Sequence, residues 1–492
     1  MPADLPPDLW RWSARDLATA LRTRRVSARE ALAAHHERID AVNPQVNAVV
    51  IEDREGARAR AAAADELAAT TPPEQLPPLH GLPMTHKDTH LVAGIRSTMG
   101  SALTDVVPTS DDLIIARLRA AGANSTGKNN VPEFAAGSHT FNELFGATGN
   151  PYAPHLSCGG SSGGAAVVLA TGIQALADGS DLGGSLRNPA AFCNVVGYRP
   201  SAGIVPVAPT KDAWAWLTIS GPMAREVADI ALAMSVLAGP DPRVALPCPV
   251  DAQAFAPLIT ATPDPDARPL HGLRVGFTVD FGLGMPVQEP VAQVVIAARE
   301  VFDRLGAQVS DACPNLRTAD EVFDTYRALA MALSLRELVA RYPEEVKPEV
   351  GWNVERGVEL TGTDLMNATA ARTRLRAQVA RWFSRFDVLL APTAQVLPFD
   401  LTQRYPEQIA GQPMSSYVDW MRSCSIVSAM GSPAISVPAG FAPADPTATG
   451  SGTPELPVGL QIIGAHGDDV RVLAVAQAFE AATRHVDRRP HL

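Results

Sequence analysis

Apolar residues recur at three- and four-residue intervals through the N-terminal segment, and Ser27 with Glu30 forms a capping-box pattern ahead of residues 31–39, which predicts amphipathic helix there. Two helices then lead to a strand near residues 46–51. A Pro-rich stretch, 71–78, joins this to Gly81-Leu82-Pro83-Met84-Thr85-His86-Lys87-Asp88, and 111–121 has the pattern of an amphipathic helix. The alternation returns late, with a strand over 273–278, a helix over 290–305 and a short buried strand over 387–390. Loop-like insertions rich in Pro, Asp, Thr and Gly fall at 263–269 and 442–455, and no internal repeat is visible. Strand and helix signals that alternate in this way predict an α/β fold. We expect a single large domain over residues 1–492 with a central mixed, mainly parallel twisted β-sheet covered by helices on both faces.

Composition narrows the partners. The 492 residues carry 41 basic and 52 acidic side chains, a formal charge of -11, and no Lys/Arg run long enough to follow a phosphate backbone, so nucleic acid is not expected. No stretch reaches the roughly 18 apolar residues of a membrane span, and the start, Met1-Pro2-Ala3-Asp4, is acidic where a secretory signal is basic and then apolar. A cytoplasmic protein without membrane contact, monomer or homodimer, is the expectation. Five cysteines, Cys158, Cys193, Cys248, Cys313 and Cys424, have no CxxC spacing, which points to reduced thiols in the core.

The chemistry concentrates in two small-residue clusters. Ser157-Cys158-Gly159-Gly160-Ser161-Ser162-Gly163-Gly164 precedes an apolar, helix-like run at 165–170, and Gly179-Ser180-Asp181-Leu182-Gly183-Gly184-Ser185-Leu186-Arg187 follows. Such loops let several backbone N–H groups approach a ligand, and they are embedded too tightly between apolar segments to be flexible linkers. They do not make a Walker A loop, because the nearest match, 122–129, ends in Asn and follows a helix. Gly159-Gly160-Ser161-Ser162-Gly163 fits a GxSxG elbow with Ser161 as nucleophile, and Ser125-Thr126-Gly127-Lys128 fits SxxK, but the latter lacks its KTG partner.

Taken together, these segments resemble the amidase signature family. The resemblance runs through Gly81-Leu82-Pro83 to Lys87-Asp88, Gly127-Lys128-Asn129-Asn130 with Glu133-Phe134, and Phe145-Gly146-Ala147-Thr148 with Asn150-Pro151. It continues through both glycine-serine loops, Gly197-Tyr198-Arg199-Pro200-Ser201, Gly221-Pro222-Met223-Ala224-Arg225, 387–393, 433–438 and 457–461. It implies the amidase signature fold, with a catalytic core at about 75–230, and cleavage of a carbon-nitrogen bond without a cofactor. It also implies roles: Ser185 as nucleophile, Ser161 as bridging serine after a cis Gly160–Ser161 peptide, and Lys87 as base. A second hydroxyl can pass the nucleophile's proton to an amine, but only a neutral amine accepts it. Since the lysine reference pKa is about 10.4, work near pH ~8 requires burial to supply about 3 kcal/mol. The amides of Leu182, Gly183, Gly184 and Ser185 are the expected oxyanion-hole donors, while Asp181 and Arg187 are expected to brace the loop.

A substrate pocket is expected from Phe134, Gly137, Ser138, Phe141, Phe192, Cys193, Trp214 and Trp216 with residues around 420–426, Ile426 among them, in part from a C-terminal region at about 310–430. Its apolar and aromatic character favours a hydrophobic or aryl amide, with carbamate (urethane), ester and oligoamide bonds open to the same chemistry. Three rivals compete. His80, His86 and His90 with Asp88 are spaced to suggest a zinc hydrolase, although HExxH is missing. A glutaminase subunit of an amidotransferase would keep the fold, though its glutamine-binding pattern is not recognisable in 341–381. A noncatalytic scaffold would not need all three catalytic positions intact.

Overall fold

Two sheets organise the chain in a computed structural model that describes residues 8–246, 250–444 and 455–492. The N-terminal start, Cys248 and most of the 442–455 insertion lie outside these residues; 442–443 and 455 are strand ends. The smaller sheet consists of β1 (Val49–Glu52), β2 (Pro83–Lys87) and β3 (Asn124–Asn129), with β3 in the middle. The larger has eight strands: β4 (Leu176–Asp181), β5 (Val196–Arg199), β6 (Ile219–Ala224), β7 (Arg274–Phe277), β8 (Gln308–Asp311), β9 (Val388–Pro392), β10 (Ala434–Pro443) and β11 (Glu455–Gly464). Their spatial order is β8-β7-β9-β11-β10-β5-β6-β4.

The expected α/β architecture with a mixed sheet is present, but the sheet is not mainly parallel. Only β7 runs parallel to its neighbours β8 and β9, and the remaining pairs are antiparallel. A helix between two strands does return the chain in the same direction, as between β4 and β5. Here, however, β6 inserts between that pair and runs against both; β11 does the same between β9 and β10. Helices do cover both faces. On β11 a Cβ at Gly459 would meet Ala191 of the helix Arg187–Cys193, and one at Gly464 would meet Val472 of the helix Asp469–Thr483. Five residues apart on a strand, these positions face opposite sides.

The predicted elements recur with shifted ends. The helix capped by Ser27 and Glu30 is longer than its periodic stretch, Ala28–Val46, and both reciprocal bonds of the capping box form. It runs past the expected start of the strand, so β1 begins only at Val49. The other helices lie at Leu113–Ala120 and Glu289–Arg304. Among the described residues no helix is long and apolar enough to cross a membrane, and Cys158, Cys193 and Cys424 are buried free thiols while Cys313 is half-buried.

Candidate active site

Lys87 ends β2, where the smaller sheet meets β4. It is fully buried, and its backbone N–H donates to Asp178 on β4 (3.3 Å). Its Nζ donates to Ser161 Oγ (2.8 Å), Ser180 Oγ (2.9 Å) and the Ser180 carbonyl (3.4 Å). Desolvation pushes the amine down to about 7, even though the Asp181 and Asp178 carboxylates pull it upward. A charge taken out of water is disfavoured, and here that loss outweighs two nearby anions.

Ser161 follows a cis Gly160–Ser161 peptide, as the resemblance implies, and precedes the helix Gly163–Ala170. Its loop is held from the side by Ser138 Oγ, which donates to the Gly160 carbonyl (2.6 Å), and by Thr140 Oγ1, which donates to that of Gly159 (2.8 Å). The next residue joins the two serine loops, since the Ser162 amide donates to the Ser185 carbonyl (3.1 Å). Ser185 itself is 8% exposed, nearly closed off but not sealed.

A buried ionic cluster fixes the loop of Ser185. Arg187 clasps Asp181 with Nε and Nη2, both at 2.9 Å, and extends to Gln461 (2.8 Å) and Ser428 (2.9 Å). Arg199 reaches the same carboxylate (3.2 Å) and also the Asp181 carbonyl. Burial alone would raise the Asp181 carboxyl, but the two guanidinium groups hold it well below the usual carboxylate range. The Asp181 and Arg187 bracing expected from sequence is therefore present. One oxyanion-hole expectation is not: the Gly184 amide donates to Asp181 Oδ1 (2.9 Å) and the Leu186 amide to Oδ2 (3.2 Å), so the fold spends the Gly184 donor on the brace. Gly184 is also held at φ +116°, and a Cβ there would lie 2.5 Å from Cys424 Cβ, a position only glycine fills without strain.

The expected pocket residues do not all gather here. Trp214 is 67% exposed, although its neighbours Ala213 and Ala215 line a cavity. Phe192 is stacked on Trp420 with Phe399 at its edge, and Cys193 turns its thiol toward the Cys158 carbonyl; both are core. Ile426 is fully buried in an apolar cluster with Leu182, Trp216 and Phe323, and Phe134 packs in a separate one with Ala136, Val346 and Val350. Ser138 abuts the Ser161 loop. A Cβ at Gly137 would lie 3.8 Å from Lys347 Nζ and the Tyr417 ring, and the same Nζ lies 4.0 Å over the Phe141 ring. Trp216 does line a cavity, of about 520 Å³.

The zinc-like set is dispersed. His86 and His90 share one carboxylate, Asp178, each through Nδ1 at 2.6 Å. Burial would raise that carboxyl, but the two imidazoles keep it far below its ordinary range. Asp88 instead binds Thr98 and faces Lys128 Nζ (3.3 Å). Among the described residues no three His, Cys, Asp or Glu side chains group as a metal requires.

Ser180 was missed in the sequence. A signal was available, since Asp178 and Ser180 alternate with Asp181 along β4 and so face Lys87 while Asp181 faces the arginines.

Known proteins carry the same framework. The chain is 35% identical to an acylamidase of Rhodococcus erythropolis, over 97% of each. It is 32% identical to a glutamyl-tRNA(Gln) amidotransferase subunit of Heliobacterium modesticaldum, over 98% of this chain and 99% of that one. A solved bacterial aryl acylamidase of the amidase signature family superposes with a TM-score of 0.86 at 28% identity, over 97% of this chain and 98% of the other. With residues 30–473 matching the Amidase family as well, the chain belongs to the amidase family.

Proposed function

We propose that this protein hydrolyses a linear amide through an acyl-enzyme on Ser185, with Ser161 and Lys87 as the proton relay. The observation that carries this reading is the buried Lys87 amine, brought down to about 7 and 2.8 Å from Ser161 Oγ. Ser185 Oγ attacks the acyl carbon as its proton passes to Ser161 and the Ser161 proton to neutral Lys87. The oxyanion is met by the amides of Leu182, Gly183 and Ser185, a set from which Gly184 is removed by its bond to Asp181. Lys87 returns the proton through Ser161 to the departing nitrogen as the carbon-nitrogen bond breaks. Water then attacks the ester with the same relay as base, releasing a carboxylic acid and restoring Ser185.

The substrate in this reading is a small molecule with a hydrophobic or aryl group, and carbamate and ester bonds are within reach of the same acyl transfer. The acylamidase and aryl acylamidase relatives support this choice. The amidotransferase relatives of similar identity favour a second reading, glutamine hydrolysis on behalf of a partner.

A panel of chromogenic anilides, primary amides, aryl carbamates and glutamine, each run with EDTA and with Ser185→Ala, separates the two. The proposal expects EDTA-resistant turnover of anilides that is lost in Ser185→Ala, is nearly lost in Ser161→Ala and Lys87→Ala, and leaves slightly more residual rate in the Ser161 variant. Turnover of glutamine alone would transfer the assignment to the amidotransferase reading.

A further inference from the structure

Between β5 and β6 the chain crosses the helix Ala319–Arg341 and is tied to it at two points. Lys211 Nζ donates to the Ser334 carbonyl (3.1 Å), and the Trp216 ring meets Tyr326 edge-on at 5.4 Å. Arg372 covers both rings, with its guanidinium 5.0 Å and 4.7 Å from their centres. Beneath this strap lies the cavity of about 520 Å³, bounded by Leu217 and Ile219 on the sheet side and by Tyr326, Leu329, Ala330 and Leu333 on the helix side. The four helix residues, at intervals of three, one and three, form one face. Among the described residues the charged groups in the lining are Lys211, engaged by the strap, and Asp212, whose Oδ1 accepts from the Trp214 amide (2.9 Å). A ligand carrying a charge would find little to offset its desolvation there.

The cavity adjoins the loop of Ser185. Ile219 pairs with Asp181 across the sheet. Arg199 donates to the carbonyls of both Leu217 (2.9 Å) and Asp181, and Leu182 packs in one apolar cluster with Trp216 and Leu217. Its volume suits a small-molecule site.

We infer that this cavity receives the uncharged aryl or alkyl arm of the amide, and that Ala330 and Leu333 set the length of arm admitted. The inference rests on the Ser185 reading for where the scissile bond lies. Ala330→Phe shortens the space and Leu333→Ala lengthens it; both positions are only half-buried, so the replaced side chains are not core supports.

The test uses two substrate series, p-nitroanilides of lengthening acyl chains and acetamides of bulkier aryl amines. In at least one series, Ala330→Phe should lower the ratio of kcat/KM for the longest member to that for the shortest by about tenfold, and Leu333→Ala should raise it. If Ala330→Phe fails to fold, the rise in Leu333→Ala decides alone. An unchanged ratio in both series overturns the inference.

Should the Ser185 mechanism itself be wrong, turnover would persist in Ser185→Ala, and the cavity is then tested by calorimetry. A non-hydrolysable analogue of a long-armed anilide, with CH2 in place of the amide nitrogen, should bind Ser185→Ala about tenfold more tightly than Ser185→Ala/Ala330→Phe. Equal binding overturns the cavity assignment whatever the nucleophile.

Discussion

Lys87 Nζ stands 2.8 Å from Ser161 Oγ in a position closed to solvent, and burial brings the amine down to about 7. A base works only when unprotonated, so kcat/KM for an anilide should climb with pH, inflect near 7 and level off on the alkaline side. A rate that is highest in acid and falls through neutrality contradicts Lys87 as base.

Ser180 should matter through that same amine. Protonated Lys87 has three N–H groups and finds three acceptors, Ser161 Oγ, Ser180 Oγ and the Ser180 carbonyl. Ser180→Ala removes an acceptor from the charged form, so the inflection should move to lower pH, and kcat/KM on the plateau should fall about tenfold as the amine loses a fixed position. An unmoved pH profile would show that Ser180 only fills space.

The residues that gather at the candidate site were more legible in the sequence than the sheet was. Ser161 and Ser185 lie in segments whose glycines and serines have no use in an ordinary core, Lys87 is picked out only by the family resemblance, and the Ser27–Glu30 capping box is a local device that reads directly from spacing. Strand direction is not local. Nothing in the composition of 219–224 says that this strand slots between β4 and β5 and runs against both. The Gly184 amide was misassigned for a similar reason: its bond to Asp181 exists only once the loop closes around the Arg187 clasp. Phe192 and Trp214 show that aromatic type alone does not distinguish core, surface and pocket.

The Asp181–Arg187 pair should carry the stability of the loop of Ser185. Arg187→Met leaves a buried carboxylate with a reduced set of partners, and removing one member of such a pair costs about 3–5 kcal/mol. Urea unfolding should show that loss as a lower midpoint, and Arg187→Met/Asp181→Asn should recover part of it. A midpoint equal to that of the parent protein would mean that Arg199 suffices alone.

Which serine becomes acylated bears most directly on the mechanism, because the GxSxG pattern offers Ser161 and the family resemblance offers Ser185. An activated aryl ester or carbamate of slow turnover, quenched in acid and followed by peptide mass mapping, reads the position of the acyl group. One acyl adduct on Ser185, absent from Ser185→Ala, is the expected result; an adduct on Ser161, or parental turnover by Ser185→Ala, rules out Ser185 as the nucleophile.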